Sequence, residues 1–105
     1  MFSLKGKTAV VTGGSRGIGE AIAIKMAESG ADIALVYASN DKKTQEVANK
    51  IKSMGKKAIA YKCDVSKDEE VKELIKKIIN DFEAIDILVN NAGITGDGLA
   101  FNMTF

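Results

Sequence analysis

The 105-residue sequence contains no histidine, no proline, no tryptophan and only one cysteine, Cys63. Without histidine the chain has no Ser-His or Cys-His catalytic pair, and the same absence argues against a zinc site. A single cysteine excludes an internal disulfide and is typical of a reducing compartment. No apolar run approaches the ~20 residues that cross a bilayer, and residues 1–5 lack a signal-peptide pattern. We therefore expect a cytoplasmic protein.

Length and composition predict one small globular domain. The chain is long enough for one domain and too short for two. Its apolar content of 46% and charged content of 28% are typical of soluble globular proteins. No repeat, low-complexity segment or linker-like stretch divides it. The net charge of +1 predicts no general attraction to nucleic acid or to anionic membranes.

The most informative stretch is residues 12–19, Thr-Gly-Gly-Ser-Arg-Gly-Ile-Gly, which follows an apolar run at residues 8–11 and opens a segment of helical spacing. The free N–H groups and the dipole of a helix N-terminus favour a bound phosphate. Gly13 allows a sharp exit from the strand, Gly17 allows close approach of a pyrophosphate, and Gly19 allows the helix to pack on the strand. The alternative is a glycine-rich turn that binds nothing.

Apolar patterns predict strands and helices in alternation. Strand-like runs occupy residues 8–11, 32–37, 57–62 and 86–90, and the segments between them have helical spacing. A Ser-x-x-Glu pattern beginning at Ser66 predicts a capping box for the third helix. The order βαβαβαβ predicts an α/β fold, a Rossmann-like parallel sheet with strand order 3-2-1-4 and helices on both faces.

Two further motifs lie at predicted strand ends, where an open α/β sheet binds its ligand. The third strand is followed by Cys63, Asp64 and Val65. The Asp64 carboxylate is suited to accept a hydrogen bond from an adenine amino group, and the alternative is an aspartate that caps a turn. The fourth strand leads into Asn-Asn-Ala-Gly at residues 90–93, whose small side chains leave room for an adenosine.

The end of the second strand bears on the choice between NAD and NADP. An acidic residue about 20 positions beyond the glycines binds the ribose 2′-hydroxyl in NAD sites, but the residue near that position, Tyr37, is not acidic. Arg16 is suited to pair with a 2′-phosphate, and Ser39 and Asn40 offer neutral hydrogen bonds. These residues favour NADP. The alternative for Arg16 is a solvent-exposed arginine without a ligand.

Taken together, these motifs resemble the N-terminal part of the short-chain dehydrogenase/reductase family, over residues 4 to about 99. Residues 14–19 and 86–95 are similar to the bacterial 3-oxoacyl-[acyl-carrier-protein] reductases of that family. The resemblance implies an NADP-dependent oxidoreductase of fatty-acid biosynthesis, with NADPH as cofactor and an acyl-carrier-protein-bound 3-oxoacyl substrate. With the second-strand residues included, the predicted cofactor-binding set is Gly13, Ser15, Arg16, Gly17, Ile18, Gly19, Tyr37, Ser39, Asn40, Asp64, Val65, Asn91, Ala92 and Gly93.

The family's catalytic residues have no counterpart in this sequence. In the family a serine and a Tyr-x-x-x-Lys pair, supported by an asparagine, follow the fourth strand, and the tyrosine is the general acid. The chain has two tyrosines, Tyr37 and Tyr61, which are followed four positions later by Asp41 and Val65. We therefore assign no catalytic residue and no metal ligand.

These observations predict a dinucleotide-binding half-domain over residues 1–93 and a tail over residues 94–105 that is weakly structured or involved in association. We expect the chain alone to be inactive, as a truncated cofactor-binding fragment. The alternative is a non-catalytic half-Rossmann module that binds nucleotide or self-associates. A fourth strand without a further neighbour would expose backbone groups and apolar surface, which predicts a homo-oligomer.

Overall fold

The computed structural model describes residues 3–13 and 17–91, together with the backbone of residues 102–104. Its elements are β1 (Thr8–Thr12), α1 (Gly17–Glu28), β2 (Asp32–Tyr37), α2 (Asp41–Lys52), β3 (Ala58–Lys62), α3 (Asp68–Phe82), β4 (Ile87–Asn90) and β5 (Asn102–Thr104). The order from β1 to β4 is the predicted βαβαβαβ. Within the described residues, no helix has the length and apolar character needed to cross a membrane.

The strands form one sheet in the order β3-β2-β1-β4-β5, so the predicted order 3-2-1-4 is confirmed. Pairing is parallel from β3 to β4. In the central strand β1, Val10 lies opposite Ala34 of β2 on one side and Leu88 of β4 on the other. Because these strands run in the same direction, their carboxyl ends share one edge of the sheet.

The outer edge of β4 is paired, contrary to the expectation from the sequence. The strand β5 runs antiparallel to it and places Met103 opposite Leu88 and Asn102 opposite Val89. A three-residue strand therefore satisfies backbone groups that were expected to lie open. The predicted domain boundary at residue 93 stays a prediction.

Helices cover both faces of the sheet, as predicted. Successive residues of a strand point to opposite faces, so β1 and β2 contribute to two cores. The first core joins the sheet to α1 and α2 through Ala9, Val11, Ala23, Ala27, Ala31, Ile33, Leu35, Val47, Ala48, Ile51 and Ala58. The second core joins it to α3 through Val10, Ala34, Val36, Tyr61, Cys63, Leu74, Ile78 and Phe82. Burial on both faces explains why residues 33–36 are continuously apolar.

The capping box predicted at Ser66 is wrong. The helix α3 begins at Asp68, and its N-cap residue Lys67 makes no capping hydrogen bond through its side chain. The backbone N–H and the hydroxyl of Ser66 both donate to Asp64 Oδ1, at 3.0 and 2.6 Å. The backbone N–H of Asp64 in turn donates to Glu70 Oε1 at 3.0 Å. Because Ser66 is hydrogen-bonded to Asp64, it does not cap α3, and the helix begins at Asp68.

Tyr61 ties the edge strand β3 to the end of α3. Its buried hydroxyl donates to Asp81 Oδ2 at 2.6 Å. The ammonium group of Lys57 donates to the backbone oxygen of Asp81 and lies 4.6 Å from the centre of the Phe82 ring. Burial is the main cause that raises the pKa of Tyr61 above its ordinary value of 10.0, and the hydrogen bond to Asp81 is the second.

We expect Tyr61→Phe to lower the free energy of unfolding by about 1–2 kcal/mol, because it removes a hydrogen bond to a charged acceptor. The pKa of Tyr61 is higher in the folded chain than in the unfolded chain, where it is 10.0. Its contribution to the free energy of unfolding is therefore fully present below pH 10.0 and is lost as the pH rises above that value. The variant should therefore lose less stability than the wild type above pH 10. Urea unfolding at neutral and alkaline pH measures both effects, and equal stability of the two proteins at neutral pH would contradict the assignment.

Candidate functional site

The predicted site residues converge on one edge of the sheet, at the carboxyl ends of the parallel strands. Four segments reach it: the turn after β1, the end of β2, the turn after β3 and the residue that follows β4. Ligands of open α/β sheets bind in the crevice outside this edge. The topology alone therefore brings together residues that lie up to 78 positions apart in the chain.

The centre of the site is a close contact among Gly13, Gly19 and Asn91. Gly13 has a φ of 67°, and its N–H donates to the oxygen of Val36 at 2.9 Å. Its own oxygen accepts a hydrogen bond from Asn91 Nδ2 at 3.4 Å. A Cβ at Gly19 would lie 2.2 Å from that oxygen and 2.7 Å from Asn91 Nδ2. The close helix packing predicted for Gly19 is therefore present.

The first residues of α1 have few neighbours among the residues that the structure describes. A Cβ at Gly17 would meet no described atom within 4 Å, and the side chain of Ile18 is 67% exposed. The first backbone N–H groups of a helix have no partner within it. A phosphate could thus approach this turn without meeting a side chain at Gly17.

Thr12 and Asn90 form a contact that the sequence motifs did not pair. The β1–β4 register places them opposite each other at the ends of the two strands. The Thr12 hydroxyl lies 3.0 Å from Asn90 Oδ1 and 3.4 Å from the oxygen of Val89, as donor to both. The signal in the sequence is that both are the last residues of strands that become neighbours. The pair fixes the end of β4 beside the glycine turn.

Asp64 and Val65 lie in the turn between β3 and α3, both exposed. Two hydrogen bonds from Ser66 hold the pKa of Asp64 below its ordinary value. The bond from the Ser66 hydroxyl has the larger effect and the bond from its N–H the smaller. Asp64 is therefore an acceptor-only carboxylate at neutral pH. This geometry is the turn-capping alternative of the sequence analysis, and it also orients the carboxylate at the ligand edge.

The end of β2 presents Tyr37, Ser39 and Asn40. A hydrogen bond with Asp41 raises the pKa of the half-exposed Tyr37. Asn40 has a φ of 71°, and its oxygen accepts from the N–H and the hydroxyl of Thr44. Its side chain makes no capping hydrogen bond, although asparagine is a preferred N-cap residue. The left-handed backbone turns the chain sharply into α2.

A second contact absent from the sequence analysis links α1 to α2 beside the site. Glu20 Oε1 lies 3.4 Å from Lys43 Nζ, and Glu20 Oε2 lies 3.6 Å from Lys50 Nζ. Pairing between helices depends on how the helices cross, which the local sequence does not specify. Exposed ion pairs of this kind contribute about 0–1 kcal/mol. They bias the orientation of α2, whose first turn follows Ser39 and Asn40.

Four predicted residues, Ser15, Arg16, Ala92 and Gly93, lie outside the described residues. Among the residues that are described, no group of three or more His, Cys, Asp or Glu side chains is placed to hold a metal ion.

Comparison with known proteins gives this arrangement a family context. The sequence profile of the family described as short chain dehydrogenase matches residues 7–104. The chain is 46% identical over 97 residues to 3-oxoacyl-[acyl-carrier-protein] reductase FabG of Staphylococcus epidermidis. The aligned region covers 92% of this chain and 40% of that protein. The chain thus spans about two-fifths of the length of the curated relatives that it matches.

Solved structures show the same fold. A short chain dehydrogenase from Burkholderia cenocepacia in complex with NADP matches with a TM-score of 0.80 and 38% identity, over 90% of this chain and 42% of that one. NAD+-bound xylitol dehydrogenase matches with a TM-score of 0.77 and 34% identity, over 81% of this chain and 32% of that one. The family profile covers nearly all of the sequence, and the fold agrees with it. The chain belongs to the short-chain dehydrogenase family.

Proposed function

We propose that this chain is the cofactor-binding part of an NADP-dependent oxidoreductase. The whole protein would transfer a hydride from NADPH to the 3-oxo group of an acyl chain carried on acyl carrier protein. The observation that carries the proposal is the contact of Gly13, Gly19 and Asn91, which holds the first turn of α1 at the ligand edge. The substrate rests on similarity to the relative named above, since one fold hosts many substrates.

The pyrophosphate, the adenine and the adenosine ribose each have a candidate partner among the described residues. The first turn of α1 offers N–H groups to the pyrophosphate, and Gly17 leaves that approach open. The carboxylate of Asp64 is available to the adenine amino group, with Val65 beside the ring. Asn91 would line the adenosine ribose while it also holds the glycine turn. The bound nicotinamide would supply the hydride, and these residues would bind and orient the other half of the cofactor.

The preference for NADP rests on the chain's own residues. A carboxylate at the end of β2 would repel a 2′-phosphate, and this position holds Tyr37. Arg16 within the glycine stretch offers a planar donor group for phosphate, while Ser39 and Asn40 add neutral donors. One solved relative holds NADP and another holds NAD+, so family membership is compatible with either cofactor.

Titration of the purified chain with NADPH and with NADH, followed by calorimetry, tests this proposal. We expect tighter binding of NADPH. Arg16→Ala should weaken NADPH binding about 10- to 100-fold, the effect of losing a charged hydrogen bond to phosphate. It should change NADH binding less than about twofold. Arg16→Lys is the matched control, because it keeps the charge, loses the planar fork and should give an intermediate loss.

Two results would contradict the proposal in different ways. An equal loss for NADPH and NADH would mean that Arg16 supports the loop and does not contact the 2′-phosphate. Binding of neither cofactor by the folded chain would favour the second candidate, a non-catalytic half-Rossmann module whose main property is self-association. The cytoplasmic location stays a prediction.

A further inference from the structure

The turn between β3 and α3, residues 64–67, is held by hydrogen bonds and not by packing. All of its residues are exposed, so no buried side chain fixes their conformation. Immediately before the turn, the N–H of Cys63 donates to the oxygen of Tyr37 in β2 at 2.8 Å. The N–H of Lys67 donates to the oxygen of Asp64 at 3.0 Å and closes the turn. The conformation at Asp64 therefore depends on the partners of its own polar groups.

Glu70 is the partner of the backbone N–H of Asp64. It lies in the first turn of α3, and its Oε1 accepts that N–H at 3.0 Å. A carboxylate in the first turn of a helix often accepts the N–H of the N-cap residue, but here it reaches beyond the N-cap residue, Lys67. The helix dipole favours its negative charge at this end, and its Oε2 lies 3.8 Å from Lys67 Nζ. Glu70 thus ties the start of the turn to the helix.

The two oxygens of the Asp64 carboxylate have different surroundings. Oδ1 accepts both hydrogen bonds from Ser66. Among the residues that the structure describes, none donates a hydrogen bond to Oδ2, so this oxygen is available to a donor on a ligand. Glu70 holds the backbone of Asp64, and Ser66 holds its side chain. An acceptor fixed in this way loses little conformational freedom when a ligand binds.

We propose that Glu70 is a positioning residue for adenine recognition, because its hydrogen bond to the Asp64 N–H fixes the carboxylate that accepts the adenine amino group. This inference rests on the proposed function, since it requires a nucleotide at this edge of the sheet. Hypoxanthine carries a carbonyl oxygen where adenine carries its amino group. A carboxylate accepts a hydrogen bond from the amino group and repels the carbonyl oxygen. The preference for adenine therefore depends on where the carboxylate is held.

Binding of NADPH and of its hypoxanthine analogue, deamino-NADPH, to the full chain tests this role by calorimetry. We expect the wild type to bind NADPH about tenfold more tightly than the analogue, the effect of one hydrogen bond to a charged acceptor. Asp64→Ala should lower this ratio to about one. Glu70→Ala should lower it to below about threefold, mainly by weakening NADPH binding. Glu70→Gln keeps an acceptor oxygen at the same reach and should retain most of the ratio.

Glu69→Ala is the matched control. Glu69 is an exposed neighbour in the same first turn of α3, and it forms no ion pair among the described residues. Its replacement removes the same charge from the helix N-terminus, which affects the phosphates of both cofactors alike, so the ratio should stay within about twofold of the wild type. Because Glu69 and Glu70 are both exposed, circular dichroism should show an intact fold in each variant.

Hydrogen exchange of the Asp64 amide tests the underlying hydrogen bond without a nucleotide. Glu70→Ala should speed this exchange about tenfold, and Glu69→Ala should leave it unchanged. Faster exchange with a wild-type ratio would overturn the proposal, because Glu70 would then hold the turn without acting on the adenine. Unchanged exchange in Glu70→Ala would also overturn it. A wild-type chain that binds neither cofactor would overturn the proposed function as well, whereas the first two results leave that function intact.

Discussion

Replacement of Gly19 by alanine is expected to lower the free energy of unfolding by about 2–3 kcal/mol and to abolish measurable nucleotide binding. The new Cβ would lie 2.2 Å from the oxygen of Gly13 and 2.9 Å from its carbonyl carbon. These are backbone atoms of a turn that is also held by Val36, so no flexible side chain can move aside. The start of α1 would have to shift, and overpacking of this kind destabilises by about 1–3 kcal/mol.

Gly17→Ala is the matched control for this substitution. It makes the same chemical change two residues earlier in the same helix, where a Cβ meets no described atom within 4 Å. Its free energy of unfolding should stay within about 1 kcal/mol of the wild type or rise, because alanine favours the helix. Nucleotide binding should still weaken if a pyrophosphate approaches there. Urea unfolding and calorimetry separate the two effects, and equal stability of both variants would contradict the packing argument.

The second large effect is expected for Ile78→Ala, which should lower the free energy of unfolding by about 3–4 kcal/mol. Ile78 is 1% exposed and belongs to the core between α3 and the sheet. Truncation of a buried isoleucine removes apolar burial and leaves a cavity, at a cost of about 2–5 kcal/mol. For a domain of this size, that is a large share of the total stability.

The next residue provides the comparison. Ile79→Ala removes the same atoms from a side chain that is 45% exposed, so its effect should stay below about 1 kcal/mol. Both variants should be measured by urea unfolding at the same protein concentration and pH. A loss at Ile79 as large as that at Ile78 would show that the outer side of α3 is buried in the monomer.

The sequence predicts the strand order because the evidence for it is local. Each apolar run is bounded by turn residues, and right-handed crossovers allow few arrangements of alternating strands and helices. The start of α3 is missed because Asp64 competes for Ser66, and a pattern that begins at Ser66 does not include that aspartate. The strand β5 is missed because its three residues, Asn102–Thr104, are too few to show an alternating apolar pattern.

The sequence likewise predicts one part of the candidate site and not the other. Gly13 and Gly19 are predicted because a backbone turn and a close approach restrict the residue type directly. The Thr12–Asn90 contact depends on the β1–β4 register, which no local pattern specifies. In α3, Ile75 follows the buried Leu74 but is itself 40% exposed, because the apolar side of the helix is wider than the sheet surface that the helix covers.

The pairing of β1 with β4 has a consequence for the order in which the chain acquires structure. Contacts of Thr8 with Asp86, Thr12 with Asn90 and Gly13 with Asn91 each span 78 positions. At ribosomal rates of 5–20 residues per second, β4 is synthesised roughly 4–16 s after β1. During that interval the glycine turn lacks the residues that complete it, and one side of β1 has no strand to pair with. A newly made chain is therefore most exposed to wrong strand pairing just before its ligand site is complete.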